Sequence, residues 1–384
     1  MIQKAAVRGK NMTKQKRKII YLVALTNPDL INSKSSGISK KIDWQIAALS
    51  DAGIKVRLVK RRMQSKYRRA MPFQTSTIDW AGLKHKMGCY DGLYHRHVNT
   101  DFQMLKLFCE IKKQNPKFKI ILELPTYPYD GERKKGLLYY RDRHYRKQLK
   151  KYADRIVIFD QHKDVWGVPA IQTCNGIDLS GLRIKKQEQR TDTFDICMVA
   201  DFEYWHGADR LLRGLLAYYA NGGRENIRLH FVGGVSNTRI MEKYKQAASH
   251  RLIRHKVFFY GNLEGEELDH IYDICHLAAA SLGRHRTGVF LSSEIKTREY
   301  MGKGIPFIYS TEIDVFRESH VDFAYQIPAD DSPVDLNEVT AFYKRLLDGY
   351  KPDQLSREIR QFARDKVSMN QAMKPIAEYF LSES

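Results

Sequence analysis

Between Ser292 and Ser310 the chain reads SSEIKTREYMGKGIPFIYS, in which Lys296, Arg298 and Glu299 fall within four residues, shortly before an apolar run. A helix that only packs a core has no use for that charge. Lys296 and Glu299 stand three apart, which puts them on one face if the stretch is helical. A carboxylate there can accept hydrogen bonds from two neighbouring hydroxyls, and an ammonium one turn earlier can meet phosphate as a point charge. The plainer reading pairs Glu299 with Lys303 at i+4 and leaves Lys296 in solvent.

Other stretches carry chemistry of the same kind. SLGRHRTG offers Arg284, His285 and Arg286, with an exposed loop cluster as the plainer reading. DGLYHRH sets His95, Arg96 and His97 in a row, and a lone histidine more often packs than reacts. ELPTYPYDGE brings Glu123, Tyr127 and Tyr129 to a strand end, where they could stack on a sugar and bind its hydroxyls, or simply pack. VRLVKRRMQSKYRRAM is the densest basic cluster and contains Arg61, Arg62, Arg68 and Arg69. It is either a solvated face or a contact for an anionic lipid surface. No DxD in a suitable loop, no His/Cys/Asp cluster at ligand spacing, no GxGxxG and no P-loop is present, so no metal is expected.

Apolar strand-like runs alternate with amphipathic segments along almost the whole chain, and these must position the charges. The strand-like runs in the first half are KIIYLVAL, IKVRLVK, DGLYHRH, FKIILELP, RIVIFD and AIQTCN. In the second half they are FDICMVA, IRLHFVGG, KVFFYGN, HLAAAS and IPFIYS. The helical period is clear in ISKKIDWQIAALSDAG and in DFQMLKLFCEIKKQN, where Asp101 is suited to cap. Strand and helix in alternation predict an α/β chain with parallel sheets covered on both faces. Ligands then belong beyond the carboxyl ends of the strands.

A length of 384 residues suits two such domains of roughly 150 to 200 residues each. The expected layout is a flexible basic tail at 1–17, with Met12 a candidate start, and a first domain at 18–180. A polar linker at 181–193 and a second domain at 194–365 follow, and a C-terminal helix at about 366–384 completes the first domain. The formal charge of +21 calls for a polyanionic neighbour: nucleic acid, an anionic membrane or phosphorylated substrates. Five scattered cysteines without a CxxC pair argue against a disulfide framework, and no apolar run is long enough to span a bilayer. The expected location is the cytoplasm, with peripheral attachment to the inner membrane face.

Taken in order, the stretches resemble a GT-B glycosyltransferase, similar to the family 4 (group 1) retaining enzymes of bacterial surface-polysaccharide synthesis. MVADFEYWHGADRLLRGL, LHFVGGVSN, VFFYGN and IKTREYMGKGIPFIYS resemble the donor half; SGISKKIDWQIAALSDAGIKVRLV and ADRIVIFD with IQTCNGID resemble the acceptor half. The resemblance implies two Rossmann-like domains whose parallel sheets face a central cleft. It also implies a nucleotide-diphosphate sugar as donor, UDP- or GDP-linked, with no cofactor and no metal. The acceptor would be a hydroxyl of a glycan, lipid-linked, and no nucleic acid is expected. By resemblance Glu299, Lys296, Gly37, Gly234, Gly261, Asn262 and Arg286 bind the donor. His206, His97 and Arg96 act near the sugar, and Glu123, Tyr127 and Tyr129 meet the acceptor. Two departures stand out: His206 and Asp201 replace the family's Lys and Arg, and Leu291 replaces the first of its paired glutamates, with Ser292, Ser293 or Glu294 left to stand nearby. These departures keep open a second reading, a non-catalytic GT-B subunit that stabilises or targets a partner enzyme.

Overall fold

The computed structural model describes residues 17–25, 37–64, 78, 80, 83–125, 127, 129–130, 135–188, 190–234 and 238–383. In the first domain the strands are β1 Lys18–Leu25, β2 Lys55–Arg62, β3 Gly92–Arg96, β4 Lys119–Glu123, β5 Arg155–Ile158, β6 Asp164–Val165 and β7 Val168–Gln172. They form one sheet in the order β2-β1-β3-β4-β5-β7-β6, parallel except for the β6–β7 pair. β1, β3 and β4 lie inside the sheet and are buried on both faces, as strands covered by helices must be. β2 is the edge strand, and its residues alternate between exposed and half-buried.

In the second domain the strands are β8 Phe194–Val199, β9 Ile227–Val232, β10 Val257–Gly261, β11 Leu277–Ala279, β12 Leu291–Ser292, β13 Phe307–Tyr309, β14 Glu312–Ile313 and β15 Ala324–Gln326. Six of them make a parallel sheet ordered β10-β9-β8-β11-β13-β15, while β12 and β14 pair separately. From β8 the chain winds outward to β9 and β10, then returns to the other side of β8 as β11. A crevice therefore opens beyond the carboxyl ends of β8 and β11, the usual ligand position of such sheets. The first sheet has the same reversal between β1 and β3.

The two sheets are tied together at the end of the chain. The helix Pro352–Lys366 buries Leu355, Ile359 and Ala363 in the second core. The chain then crosses over: Ile177 N–H donates to Val367 O at 2.9 Å and Met369 N–H to Ile177 O at 2.8 Å. The helix Met369–Leu381 lies on the first domain, where Met373, Ile376 and Phe380 share a core with Ile19, Tyr21 and Tyr94. Lys119 of β4 closes its carboxyl end, donating from Nζ to Tyr379 O at 2.7 Å and Ser382 O at 2.6 Å, where a cation suits the helix dipole.

The polar seam between the domains is not a free tether. Arg183 forks onto Asp273 at 2.8 and 2.6 Å, and buried Lys185 donates to Cys275 O at 2.8 Å, so the segment is laid along the second domain. Among the described residues no helix is long and apolar enough to cross a membrane.

Candidate functional site

The crevice of the second sheet is built from the turn after β8 and the loop after β11. The first turn ends at His206 and Gly207, and Gly207 takes φ +70°. A Cβ there would sit 2.8 Å from Gly283 N, so only glycine lets the two loops touch. Leu282 N–H then donates to His206 O at 2.8 Å and locks them together. Fully buried Arg210 reinforces the contact, reaching Leu282 O at 2.5 Å, Ser332 O at 2.8 Å and Pro328 O at 3.0 Å.

Within this frame His206 is held as a neutral ring. Its Nδ1 accepts the Glu203 N–H at 2.9 Å, which leaves the proton of the neutral ring on Nε2. Burial, and then the positive charges of Lys296 and Arg284, push its pKa down to about 2. One N–H donor and two cations thus line the crevice, with the Glu294 carboxylate 3.4 Å from Arg284 as their nearest counter-charge. Lys296 itself reaches Ser281 Oγ at 3.1 Å, and burial pulls its pKa down.

The helix Ile295–Lys303 brings Lys296 and Glu299 to this crevice. Among the described residues Glu299 has no hydrogen bond or ion pair. Burial raises its pKa against the opposing charges of Lys40, Lys303 and Lys296. Lys40 belongs to the first domain, so Glu299 lies where the two halves face each other. Lys303 does not pair with it; its ammonium pairs with Asp269 instead. Position 291 is a leucine on β12, but three residues later Glu294 enters the cleft: its carboxylate accepts the Ser281 N–H at 3.3 Å and lies 3.4 Å from Arg284 Nε. Ser293 is engaged elsewhere, accepting the Asn175 N–H at 2.8 Å, and Ser292 is buried.

One edge of the crevice is formed by the ends of β8, β9 and β10. Gly233 N–H donates to Gly261 O at 2.6 Å and Phe202 N–H to Gly234 O at 2.8 Å. A Cβ on Gly233 would lie 1.8 Å from Ala200 O, and one on Gly234 would meet the Asn262 side chain at 2.9 Å. Gly261, at φ +69°, faces open space. Gly234, Gly261 and Asn262 are therefore gathered at one edge, while Gly37 begins the helix Gly37–Asp51 of the first domain.

Across the cleft, a cavity of about 210 Å³ is lined by Pro125, Tyr127, Phe159 and Asn175 of the first domain and by Arg284, Leu291, Ser293 and Glu294 of the second. Tyr127 lines this cavity. Glu123 does not. It is fully buried at the end of β4 and takes hydrogen bonds from Tyr94 OH (2.6 Å), Gln45 Nε2 (2.8 Å), Arg96 Nη1 (2.8 Å) and Lys41 Nζ (3.3 Å). Burial alone would raise its pKa, but Lys41 and Arg96 with the two neutral donors outweigh that and hold it at about 2. Lys41 also reaches Asn175 Oδ1 at 2.6 Å, Asn175 Nδ2 donates to Ser293 O at 2.6 Å, and buried Arg298 donates to Asn175 O at 3.1 Å. A polar chain thus runs from the first-domain carboxylate to the helix that carries Glu299.

Four further expectations are corrected. His97 is 1% exposed and packed among His95, Tyr129 and Trp166, with its Nε2 3.3 Å from Thr100 Oγ1; it sits inside the domain, not at the sugar. Tyr129 donates its hydroxyl to Val98 O at 2.7 Å and meets Trp166 edge-to-face in the same cage. Arg286 spends its guanidinium on Asp209 (2.9 Å twice), Asp331 (2.7 Å) and Tyr204 O (2.6 Å), so of the two arginines it is Arg284 that lines the crevice. Arg61 and Arg62 are adjacent on a strand and point to opposite faces, so they cannot share a membrane surface; Arg68 and Arg69 lie outside the described residues. Arg96 stays at the end of β3, paired with Glu123. Lys40, Lys41 and Asn175 were missed, because only the meeting of the domains makes them neighbours of the site.

Known proteins resemble this chain in sequence over much of the second domain and in fold over nearly all of it. Residues 182–324 match the family described as glycosyl transferases group 1. No curated protein sequence matches the chain. A glycosyltransferase from Rickettsia africae ESF-5 superposes with a TM-score of 0.65 at 11% identity, over 96% of this chain and 100% of that one. HepE from Anabaena, in complex with UDP, gives 0.62 at 13% identity over 94% and 99%. The lipopolysaccharide outer core galactosyltransferase WaaB gives 0.57 at 14% identity over 94% and 98%. The fold is GT-B: two Rossmann-like domains with a cleft between them.

Proposed function

From a GT-B frame whose second domain matches the group 1 glycosyl transferases, we propose that this chain is a retaining glycosyltransferase. It moves a sugar from a nucleotide-diphosphate donor to a hydroxyl of a glycan, lipid-linked, in bacterial polysaccharide or glycoconjugate synthesis. The observation that carries this reading is the convergence of Lys296, Arg284 and the Nε2–H of His206 on the crevice, beside a carboxylate without a partner. Lys296 and Arg284 receive the diphosphate, and Glu299 accepts the two ribose hydroxyls, which relieves a half-buried charge that water and protein leave unmatched.

The reaction needs few groups from the protein. The acceptor O–H approaches the anomeric carbon on the face that the leaving phosphate departs. The bond from that carbon to the diphosphate oxygen breaks as the new C–O bond forms, and the acceptor proton passes to the diphosphate. The charge that develops lies on the leaving group, so fixed cations and an N–H donor lower the barrier. His206 serves here as a neutral hydrogen-bond donor, and no metal or cofactor is needed in this scheme. Asn175, Lys41 and Arg298 hold the donor helix against the first domain, which keeps the cleft closed to water.

The test is thermal melting with UDP, GDP and their sugar conjugates, on the wild-type protein and on Glu299→Ala. HepE carries UDP, which makes it the first nucleotide to try. A rise of several degrees with one nucleotide, lost in the variant, is the expected result, because a ligand that binds only the folded state stabilises it. No rise with any nucleotide at millimolar concentration overturns the reading in favour of a non-catalytic subunit.

A further inference from the structure

The first domain carries an exposed surface that the donor site does not use. The helix Leu137–Arg146 continues into the turn Leu149–Lys151, and its inward side is Tyr139, Asp142 and Arg146. Arg146 forks onto Asp130 at 2.8 and 2.6 Å and lies over Trp166 at 4.8 Å, while Asp142 accepts the Thr100 N–H at 2.6 Å. Both nearby carboxylates are thereby held by inward contacts. The outward side is left with Arg143, Lys147, Lys150 and Lys151, all exposed and without an ion-pair partner among the described residues. Beside them stand two large apolar groups in water: Leu137 is 51% and Tyr140 56% exposed.

We propose that this helix face docks the protein on an anionic lipid bilayer. Leu137 and Tyr140 fall three apart and Arg143 and Lys147 continue the same stripe, so apolar groups can enter the headgroup boundary while the cations meet lipid phosphates. The charge chooses the occupant: an uncompensated cationic face fits a continuous negative surface. The helix returns the chain from the carboxyl end of β4 toward β5, so its first turn lies at the cleft end of the sheet, on the side of Tyr127. A bilayer held there presents a lipid-linked hydroxyl to the cleft. This last consequence rests on the transferase reading, whereas the docking itself does not.

The experiment is flotation of the full chain with vesicles of phosphatidylcholine, alone or mixed with phosphatidylglycerol. The wild type is expected to float with the mixed vesicles only, and to release as salt rises. Leu137→Ser with Tyr140→Ser, and separately Arg143→Glu with Lys147→Glu, are each expected to lower the bound fraction about ten-fold. Lys60→Glu with Arg62→Glu on the β2 edge is expected to leave it unchanged. Equal flotation with neutral vesicles, or loss confined to the β2 variant, overturns the proposal, as does wild-type binding by both helix variants. The melting response to UDP, measured on the same samples, separates the two readings. Vesicle binding lost with the UDP response intact fails the docking alone; the reverse fails the transferase alone.

Discussion

Glu123 and Glu299 are both buried or half-buried carboxylates near the carboxyl ends of their sheets, and they differ in everything that surrounds them. Glu123 has four donors from its own domain and a pKa of about 2. Glu299 has no hydrogen-bond partner among the described residues and a raised pKa. A carboxylate that is fully satisfied belongs to the fold; one kept waiting at a cleft is available to a ligand. The contrast sets an unsatisfied carboxylate in the second domain against a fully satisfied one in the first.

The largest effect that can break this contrast is on stability. Glu123→Ala leaves Lys41 and Arg96 facing each other without their counter-charge, and the expected cost is about 3–5 kcal/mol in urea unfolding. A cost near zero would mean that the site is wet and that Glu123 is free to serve a ligand. Next, Glu299→Ala is expected to lower kcat/KM for transfer on the order of 100-fold, equivalent to about 2.7 kcal/mol, without loss of folding stability. If both variants lose stability alike, the two carboxylates do the same job.

A smaller effect separates the neighbouring arginines. Arg284→Gln is expected to weaken nucleotide binding about ten-fold in calorimetry, as loss of one charge-assisted contact does. Arg286→Gln is expected instead to lower the melting temperature, because it frees Asp209 and Asp331 and loosens the loop. A reversed pattern would return the donor role to Arg286.

The smallest effect lies in the pH dependence, where the two glutamates have opposite signs. Glu123 titrates below its ordinary 4.5, so its stabilisation is complete above pH 4.5 and is lost as pH falls toward 2. Glu299 titrates above 4.5, so the folded state holds its proton more tightly and stability falls as pH rises through that raised value. Glu299→Gln should therefore melt about 1–2 °C higher than wild type at pH 7, while Glu123→Gln melts lower. The difference should narrow on acidification, and an unchanged Glu299→Gln melting point would show that its carboxylate is already solvated.

Much of this was legible in the chain. Strands such as β1 read as nearly continuous apolar runs because both their faces are covered, and the stretch around Lys296 and Glu299 announced itself by charge where a packing helix has none. Short strands such as β12 and β14 were not legible, since two residues carry no period. The Leu137–Arg146 helix was equally hidden: its polar face carries so much charge that the apolar stripe is thin. His97 and Tyr129 were misplaced because a histidine or tyrosine has the same letter in a cage as in a cleft.

The sequence by itself determined the alternation of strand and helix, the two-domain division, the basic charge and the helix that carries Lys296 and Glu299. These depend on local period and composition, which each segment holds alone. Only the tertiary structure decided which charges are spent and which are available. Arg286 finds two carboxylates while Arg284 stays in the crevice beside Glu294, and Glu123 is saturated while Glu299 waits. Those outcomes depend on partners far away in the chain, and an ion pair between distant residues leaves no spacing to read.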